Sequence, residues 1–216
     1  MFMSRVRIFA ALIAAASAAP ALAQDPAASK PAAETEPDGE TARIDAAVAF
    51  AKTMTADATE ALTDETVDDM DRLQNFRAVL ADGMALDVIG RFMIGETRKS
   101  MNEDQLSRYN DIFPPYITRQ YAEQFEEIVG KPLKVVDAKP VGARAVIVRT
   151  QFERREGSPI MVDWRVRKLR SGEHKAIDII VSGVSIMLVK REEFSSFIAT
   201  NGVDALLERL EQETAV

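Results

Sequence analysis

Two side chains, His174 and Asp178, are the first candidates for chemistry in this sequence. His174 is the single histidine and lies in the polar run "SGEHK", where a solvated role is typical, and no nearby serine forms a triad pattern with it. The absence of cysteine excludes disulfides, thiolate metal sites, a cysteine nucleophile and a lipid-modified cysteine anchor. A phosphate-binding glycine loop and a calcium loop are also absent from the sequence. We therefore expect no metal site and no cofactor.

Asp178 is the stronger candidate because it interrupts the apolar stretch "KAIDIIVSGVSIMLVKREEF", residues 175–194. Helices packed on a curved antiparallel sheet form a cone, which in steroid isomerases holds an aspartate base for a hydrophobic substrate. Strand alternation, however, places Asp178 on the face opposite Ile177 and Ile179, alongside Ala176. A cross-strand ion pair with Arg165 or Arg167 is then the favoured role. We expect a protein that is not an enzyme, with catalysis through Asp178 as an alternative.

The first forty residues predict export followed by a flexible leader. Arg5 and Arg7 precede a short alanine-rich apolar run that ends in Ala21-Leu22-Ala23, the pattern of a signal peptide over residues 1–23. Residues 24–40 contain proline, alanine and acids but no large apolar residue, so we expect a disordered leader. Residues 41–216 remain for a single domain. Loss of two arginines takes the formal charge from −7 to −9, which argues against binding nucleic acid.

Apolar residues at helical spacing predict four helices before residue 131. We expect Asn102 or Ser100 to cap the fourth, and Pro114-Pro115 to interrupt or kink it because neither proline has an amide donor. The predicted ranges are 42–62, 63–83 (capped at Thr63-Asp64-Glu65), 84–94, and from the fourth cap to Gly130.

From residue 131 the apolar period changes to two, which indicates strands. Short turns join four alternating segments, so we expect an antiparallel meander with one wet face. Ser182-Gly183 is interpreted as the turn where the chain leaves the sheet, before two short helices split at Asn201-Gly202. The predicted class is α+β: a helical N-terminal half packed on a curved antiparallel four-stranded sheet, closed by C-terminal helices. The strand segments are "LKVVDAKPVG", "ARAVIVRTQFERR", "SPIMVDWRVRKLR" and "HKAIDIIVSG".

The run "AIDIIVSGVSIMLVKREEFSSFIATNGVDALLERL" resembles the C-terminal signature of the MlaC (toluene-tolerance auxiliary) family, the periplasmic phospholipid-binding proteins of a lipid-asymmetry ABC transport pathway. Its hallmarks stand here as Asp178, Gly183-Val184-Ser185, Phe194 and residues 201–210. The segments "FRAVLADGMALDVIGRFMIG", "DQLSRYNDIFPPYITRQYAEQF" and "MVDWRVRK" agree as well. Two departures are Pro114-Pro115, where relatives have an unbroken helix, and "ETRKS" after Gly95, which lacks an aromatic residue.

The resemblance implies a periplasmic carrier with an apolar cavity between sheet and helices for the acyl chains of a diacyl phospholipid. It implies docking on an inner-membrane ABC transporter complex and an outer-membrane lipoprotein complex, and we expect a monomer. Carriage of another lipid, such as a hopanoid, is a further alternative. By the match, Tyr121 and Val184 are the predicted cavity residues. Six more follow from the inward-face argument alone: Phe125, Val162, Trp164, Val166, Ile179 and Val181.

Overall fold

Helices come first, then a meander of strands, then a final helix. The computed structural model describes residues 37–125, 134–152 and 158–215, with side chains for 39–122, 134–151 and 158–214. The predicted signal peptide, most of the leader, Gly130 and the turn around Gly157 lie outside these ranges. The elements are α1 (Pro37–Thr63), α2 (Asp69–Gly83), α3 (Leu86–Ile94), a 3₁₀ helix (Gly95–Lys99), α4 (Glu103–Phe125), β1 (Lys134–Val141), β2 (Ala145–Phe152), β3 (Ile160–Lys168), β4 (His174–Val181), β5 (Val184–Ser185) and α5 (Ile186–Ala215).

Helix starts follow local capping chemistry. The carboxylate of Asp68 accepts the amide hydrogen of Asp71 at 2.9 Å and caps α2, so the predicted cap at Thr63 is wrong. The predicted cap at Asn102 is confirmed. Its side-chain oxygen accepts the Gln105 amide at 2.8 Å, and the Gln105 side chain accepts the Asn102 amide at 3.1 Å. This reciprocal pair is a capping box.

Pro114-Pro115 does not interrupt α4, which runs through both residues. The prediction of a break there is wrong because packing on both sides outweighs two missing amide donors. Phe113, Tyr116 and Ile117 flank the prolines and are all buried. The Thr118 hydroxyl also donates to the Pro114 carbonyl at 2.8 Å. Since a mid-helix proline costs about 3 kcal/mol, only a buried helix of this kind retains two of them.

The sheet is an antiparallel meander in the order β1-β2-β3-β4-β5. It has five strands where four were predicted. The turn at Ser182-Gly183 does not take the chain out of the sheet. Both residues have positive φ, 50° and 86°, as a two-residue hairpin turn requires. The chain therefore folds back, and Val184 pairs with Val181 before α5 begins.

A bulge in β4 changes the faces predicted for this strand. Arg165 lies opposite Asp178, but the next residue of β3, Val166, lies opposite Ala176, so Ile177 is extra. Ala176 therefore lies on the same buried face as Val166 and not beside Asp178 as predicted. Asp178 keeps its predicted place on the face of Arg165.

The core lies between the inner face of the sheet and the helices. Helix α1 contacts β1 to β4 and buries small residues such as Ala47 and Ala51, which allow a close approach to the sheet. Helices α1 and α2 also pack closely at Gly83, where an added Cβ would lie 2.5 Å from the sulfur of Met54. Inward-facing residues of β2 and β3 complete the same apolar cluster.

Helix α5 is bent at Gly202, as the sequence predicted. This residue has φ 86° and ψ 172°, which is not helical, although hydrogen bonding continues on both sides. Helices α4 and α5 contact one another closely. The Arg108 guanidinium donates to both carboxylate oxygens of Glu211 at 2.7 and 2.6 Å, and the Gln105 side chain donates to Asp204 at 2.8 Å. None of the helices in the described part of the chain has the length and apolarity that crossing a bilayer requires.

Candidate functional site

Five of the eight predicted cavity residues pack into one buried apolar cluster. Tyr121 comes from α4, and the other four come from the inner face of β3 and β4. Each side chain is at most 2% exposed, as the inward-face pattern predicted. Val181 is half-buried against this cluster, and the Phe125 side chain lies outside the described residues. The four sheet residues are Val162, Trp164, Val166 and Ile179.

The hydroxyl of Tyr121 is the unusual polar atom of this cluster. It is buried and has no hydrogen-bond partner in the described part of the chain. Burial raises the pKa of Tyr121, and the nearby carboxylate of Asp178 raises it further. The side chain is therefore a neutral hydrogen-bond donor. An unmade hydrogen bond of this kind costs about 1–3 kcal/mol.

The indole of Trp164, in contrast, is satisfied within the sheet. Its Nε1 donates to the Thr150 hydroxyl at 2.9 Å, and that hydroxyl donates to the Val162 carbonyl at 2.9 Å. Thr150 lies on the inner face of β2 and is fully buried. Its polar role could have been read from the register, because Thr150 lies directly opposite Val162 and beside the Trp164 pair.

Asp178 is fully buried and joins β4 to the start of α5. Its carboxylate accepts the Ser185 hydroxyl at 2.8 Å and the Met187 amide at 3.4 Å. The Ser185 oxygen in turn accepts the Leu188 amide at 3.1 Å. Burial raises the pKa of Asp178, although these hydrogen bonds and the charge of Arg165 act in the opposite direction.

The predicted position of Asp178 across from Arg165 is confirmed, but the predicted ion pair between these two described side chains is not formed. Arg165 is the cross-strand neighbour, but no contact within 4 Å between the two charged groups occurs among the described residues. Sequence reasoning missed Ser185 and the Met187 amide as partners, because they become adjacent only when β5 folds back.

Val184 lies at the rim of the molecule and not in its core, with 55% of its surface exposed. It begins an exposed apolar rim with Leu188 and Val189, which are 51% and 52% exposed. These are three of the six large apolar side chains that are exposed in the described ranges. Val184 pairs with Val181, which packs against the core, so the apolar rim lies next to the buried cluster.

Among the grooves in the described part of the chain, three that border α1 have volumes of 460, 390 and 630 Å³. None of the three is lined by a predicted cavity residue. The role of the predicted cavity residues in holding a ligand therefore stays a prediction. No cluster of three metal-ligating side chains occurs among the residues that the structure describes.

Comparison with known proteins decides the family. The profile of the family described as "MlaC protein" matches residues 51–212, from the middle of α1 to the last turns of α5. The chain belongs to the MlaC family. The matched range covers the described helices α2 to α4, all five strands and the apolar rim, which agrees with the resemblance noted in the C-terminal run.

Two relatives place the MlaC family match in context. The intermembrane phospholipid transport system binding protein MlaC of Haemophilus influenzae is 23% identical over 133 residues, which is 60% of this chain. The aligned part spans 62% of that relative's length. A phospholipid-binding protein from Ralstonia solanacearum, solved in complex with a phospholipid, matches with a TM-score of 0.67 at 20% identity. The match covers 78% of this chain and 97% of that structure. This second likeness establishes the shared fold.

Proposed function

We propose that this protein is a periplasmic phospholipid carrier, which encloses acyl chains between its sheet and helices and passes the lipid between membrane complexes. The MlaC family match over residues 51–212 carries the proposal. The bound phospholipid of the Ralstonia solanacearum structure and the name of the Haemophilus influenzae relative support it. An ABC transporter complex in the inner membrane and a lipoprotein complex in the outer membrane are the proposed partners.

The energetics of lipid transfer explain why a protein is needed. Two sixteen-carbon chains exposed to water would cost about 25 kcal/mol, at about 0.8 kcal/mol per methylene group. Unassisted diffusion through an aqueous compartment is therefore negligible. A dry protein interior replaces the bilayer with surroundings of similar polarity, so the net affinity stays modest and the lipid can be released.

The apolar rim is the proposed entrance for the acyl chains. Val184 and Leu188 present apolar surface to solvent, and Val181 connects them to the buried cluster. A chain that enters here reaches Tyr121 and Ile179 once the cluster separates around it. The unpaired Tyr121 hydroxyl then donates to an ester or phosphate oxygen of the lipid.

Catalysis through Asp178 is less consistent with the geometry. A general base needs a free oxygen within reach of the substrate, whereas the Asp178 carboxylate accepts hydrogen bonds from Ser185 and the Met187 amide. Its cross-strand neighbour on β3 is Arg165. Its contacts support a structural role at the start of α5.

Replacement of Val184 by glutamate tests the carrier proposal. Because Val184 is exposed, Val184→Glu should fold normally, yet a charge at the entrance should reduce co-purified lipid at least about tenfold, since a desolvated carboxylate costs well over 1.4 kcal/mol. Lipid extraction and mass spectrometry measure the loading. Val141→Glu is the matched control, since Val141 is 38% exposed at the other end of the sheet.

The extracted lipid also distinguishes the candidate functions. Diacyl phospholipid in the wild type and in Val141→Glu, but not in Val184→Glu, supports the proposal. A polycyclic lipid would indicate a hopanoid carrier. Equal lipid content in the wild type, Val184→Glu and Val141→Glu would refute the entrance at Val184. A wild-type protein without bound lipid would instead favour an enzymatic role for Asp178.

A further inference from the structure

A groove with basic side chains lies at the end of the sheet opposite to the apolar rim. One of the three grooves, with a volume of about 390 Å³, lies where the first turns of α1 meet the β1–β2 turn and the ends of β3 and β4. Its position follows from the register. Lys168 pairs with His174 at one end of β4, whereas Val181 pairs with Val184 at the other. At about 3.3 Å per residue, the two sites lie roughly 23 Å apart.

The charged side chains that line this groove are all basic. They are Arg43 from α1, Arg144 from the β1–β2 turn, and Lys168 from β3, joined by His174. Arg144 and Lys168 form no ion pair within the described ranges. Such a concentration of unpaired cations is unexpected in a chain of formal charge −7, where acids are available to neutralise them. We call these four residues the basic pocket.

Arg43 is held in place within the basic pocket. Its Nη1 donates to the Ala143 carbonyl at 2.6 Å, and its Nε is buried without a partner in the described part of the chain. The Glu40 carboxylate lies 3.5 Å from Nη2, which is a long distance for an ion pair. The guanidinium is thus oriented, with one long salt bridge to Glu40 and a free Nε. Oriented guanidinium groups are the residues that bind phosphate oxygens most effectively.

The positive charge of the basic pocket affects the pKa of His174. Burial lowers its pKa, and the charge of Lys168 lowers it further. Acids lie on its other side, since Asp57, Asp82 and Glu173 line the neighbouring groove. An anion bound between Arg144 and Lys168 would oppose the effect of Lys168 and raise the pKa of His174.

From these contacts we propose that the basic pocket binds an oxyanion of the phosphate class, either free phosphate or the phosphate of an anionic lipid headgroup. Two guanidinium groups, one ammonium group and an imidazole converge on a groove that is large enough for a hydrated phosphate, at about 30 Å³ per water. The first turns of α1 add partial positive charge. This site is separate from the proposed acyl-chain entrance and does not depend on it.

The proposal can be tested with the single histidine as a reporter. The imidazole C–H signals of His174 are unique in the proton NMR spectrum, because the chain has one histidine. Titration with inorganic phosphate at fixed pH should move these signals saturably, and sodium chloride at equal ionic strength should not. In sulfate, which remains a dianion throughout the range, the pKa of His174 should rise. Equal responses to phosphate and chloride would overturn the proposal.

A pair of matched double variants assigns the response to the basic pocket. Arg144 and Lys168 are exposed, so Arg144→Gln with Lys168→Gln should leave the fold intact and weaken phosphate binding about tenfold or more for each cation removed. Arg98→Gln with Lys99→Gln removes the same charge from the exposed 3₁₀ helix and should leave the affinity unchanged. Equal loss in both double variants would show a nonspecific charge effect and refute the site.

Vesicles distinguish the two sources of phosphate. Sedimentation with phosphatidylglycerol vesicles, compared with phosphatidylcholine vesicles, measures headgroup binding. If the protein binds phosphatidylglycerol, phosphate competes, and binding is lost in the pocket double variant but not in Val184→Glu, the ligand is the headgroup. If phosphate shifts His174 while neither vesicle binds, the ligand is a free anion. Vesicle binding that is unaffected by the pocket double variant, together with an unshifted His174, contradicts the proposal.

Discussion

Asp178 illustrates how a single buried carboxylate can organise a junction between two elements. Its oxygens accept hydrogen bonds from Ser185 and from the Met187 amide, one of the free donors at the start of α5. The charge nevertheless lies away from water, and burial is the main reason that its pKa is raised. Asp178 therefore binds a proton more tightly in the folded protein than in the unfolded chain.

This raised pKa predicts a pH dependence of stability that Asp178→Asn should remove. Because the folded-state pKa lies above the usual 3.8, the wild type gains stability relative to the variant as the pH falls through the folded pKa. The gain is complete below about pH 3.8, and each tenfold difference in proton affinity between the folded and unfolded chains contributes about 1.4 kcal/mol. Urea unfolding followed by Trp164 fluorescence from pH 7 to pH 4 measures it. A constant difference between the two proteins would show that Asp178 titrates normally.

At the residue scale the sequence predicts burial better than it predicts partners. Alternation along β3 correctly placed Val162, Trp164 and Val166 inside, because burial follows from the two-residue period alone. The partners of Asp178 could not be predicted in the same way. They depend on a hairpin turn and a helix start that bring residues seven and nine positions away onto one carboxylate.

At the scale of elements, local signals succeeded where tertiary packing agreed with them. The alternating pattern predicted β1 to β4 in their observed order, and Asn102 and Gly202 were correctly recognised as a cap and a break. The proline pair in α4 was misjudged because burial on both sides overrides local propensity. Strand β5 was missed because two residues are too few to show a period, and Ser182-Gly183 marks a turn without specifying a hairpin.

The bend in α5 depends on glycine at position 202. Its φ of 86° with ψ of 172° lies in a region that is essentially restricted to glycine, and an added Cβ would meet nothing within 4 Å. Gly202→Ala should therefore lower the free energy of unfolding by about 1–3 kcal/mol through backbone strain alone. Chemical denaturation measures the change.

Gly39→Ala is the control for this substitution. Gly39 lies in α1, and it too has no atom within 4 Å of an added Cβ. Alanine at an exposed helical position should leave stability unchanged or raise it by up to about 1 kcal/mol. If Gly202→Ala is as stable as Gly39→Ala, the bend does not require glycine and the helix can straighten.

At the scale of the whole molecule, most of the predicted lining of the cavity lies inside the protein, away from solvent. The residues that the proposed function assigns to acyl chains, such as Trp164 and Ile179, contact one another in the buried cluster. In the proposed function, these buried side chains would contact the acyl chains of the lipid. The fold class was predictable from the order of helices and strands. The volume of the interior was not predictable from the sequence, because it depends on the distance between the sheet and the helices.

Removal of lipid should consequently destabilise the loaded protein. A ligand that binds only the folded state stabilises it by mass action, by about 2.7 kcal/mol at a free concentration one hundred times Kd. Delipidation should lower the thermal midpoint, and adding the lipid back should restore it. Val184→Glu, which is expected to carry little lipid, should show almost no change. An unaltered wild-type midpoint after verified extraction would contradict binding in the folded interior.

The two edges of the sheet are protected against unwanted association. An uncovered strand edge is a template for pairing with another chain, which leads to aggregation. At one edge, the Ala85 amide donates to the Ala176 carbonyl at 2.9 Å, so the α2–α3 junction covers β4. At the other, β1 is mostly exposed but carries a register irregularity near Val135, together with Lys139 and Pro140. These features reduce the tendency of two copies to pair through their strand edges, so a variant that removes Pro140 and Lys139 would expose a free edge for such pairing.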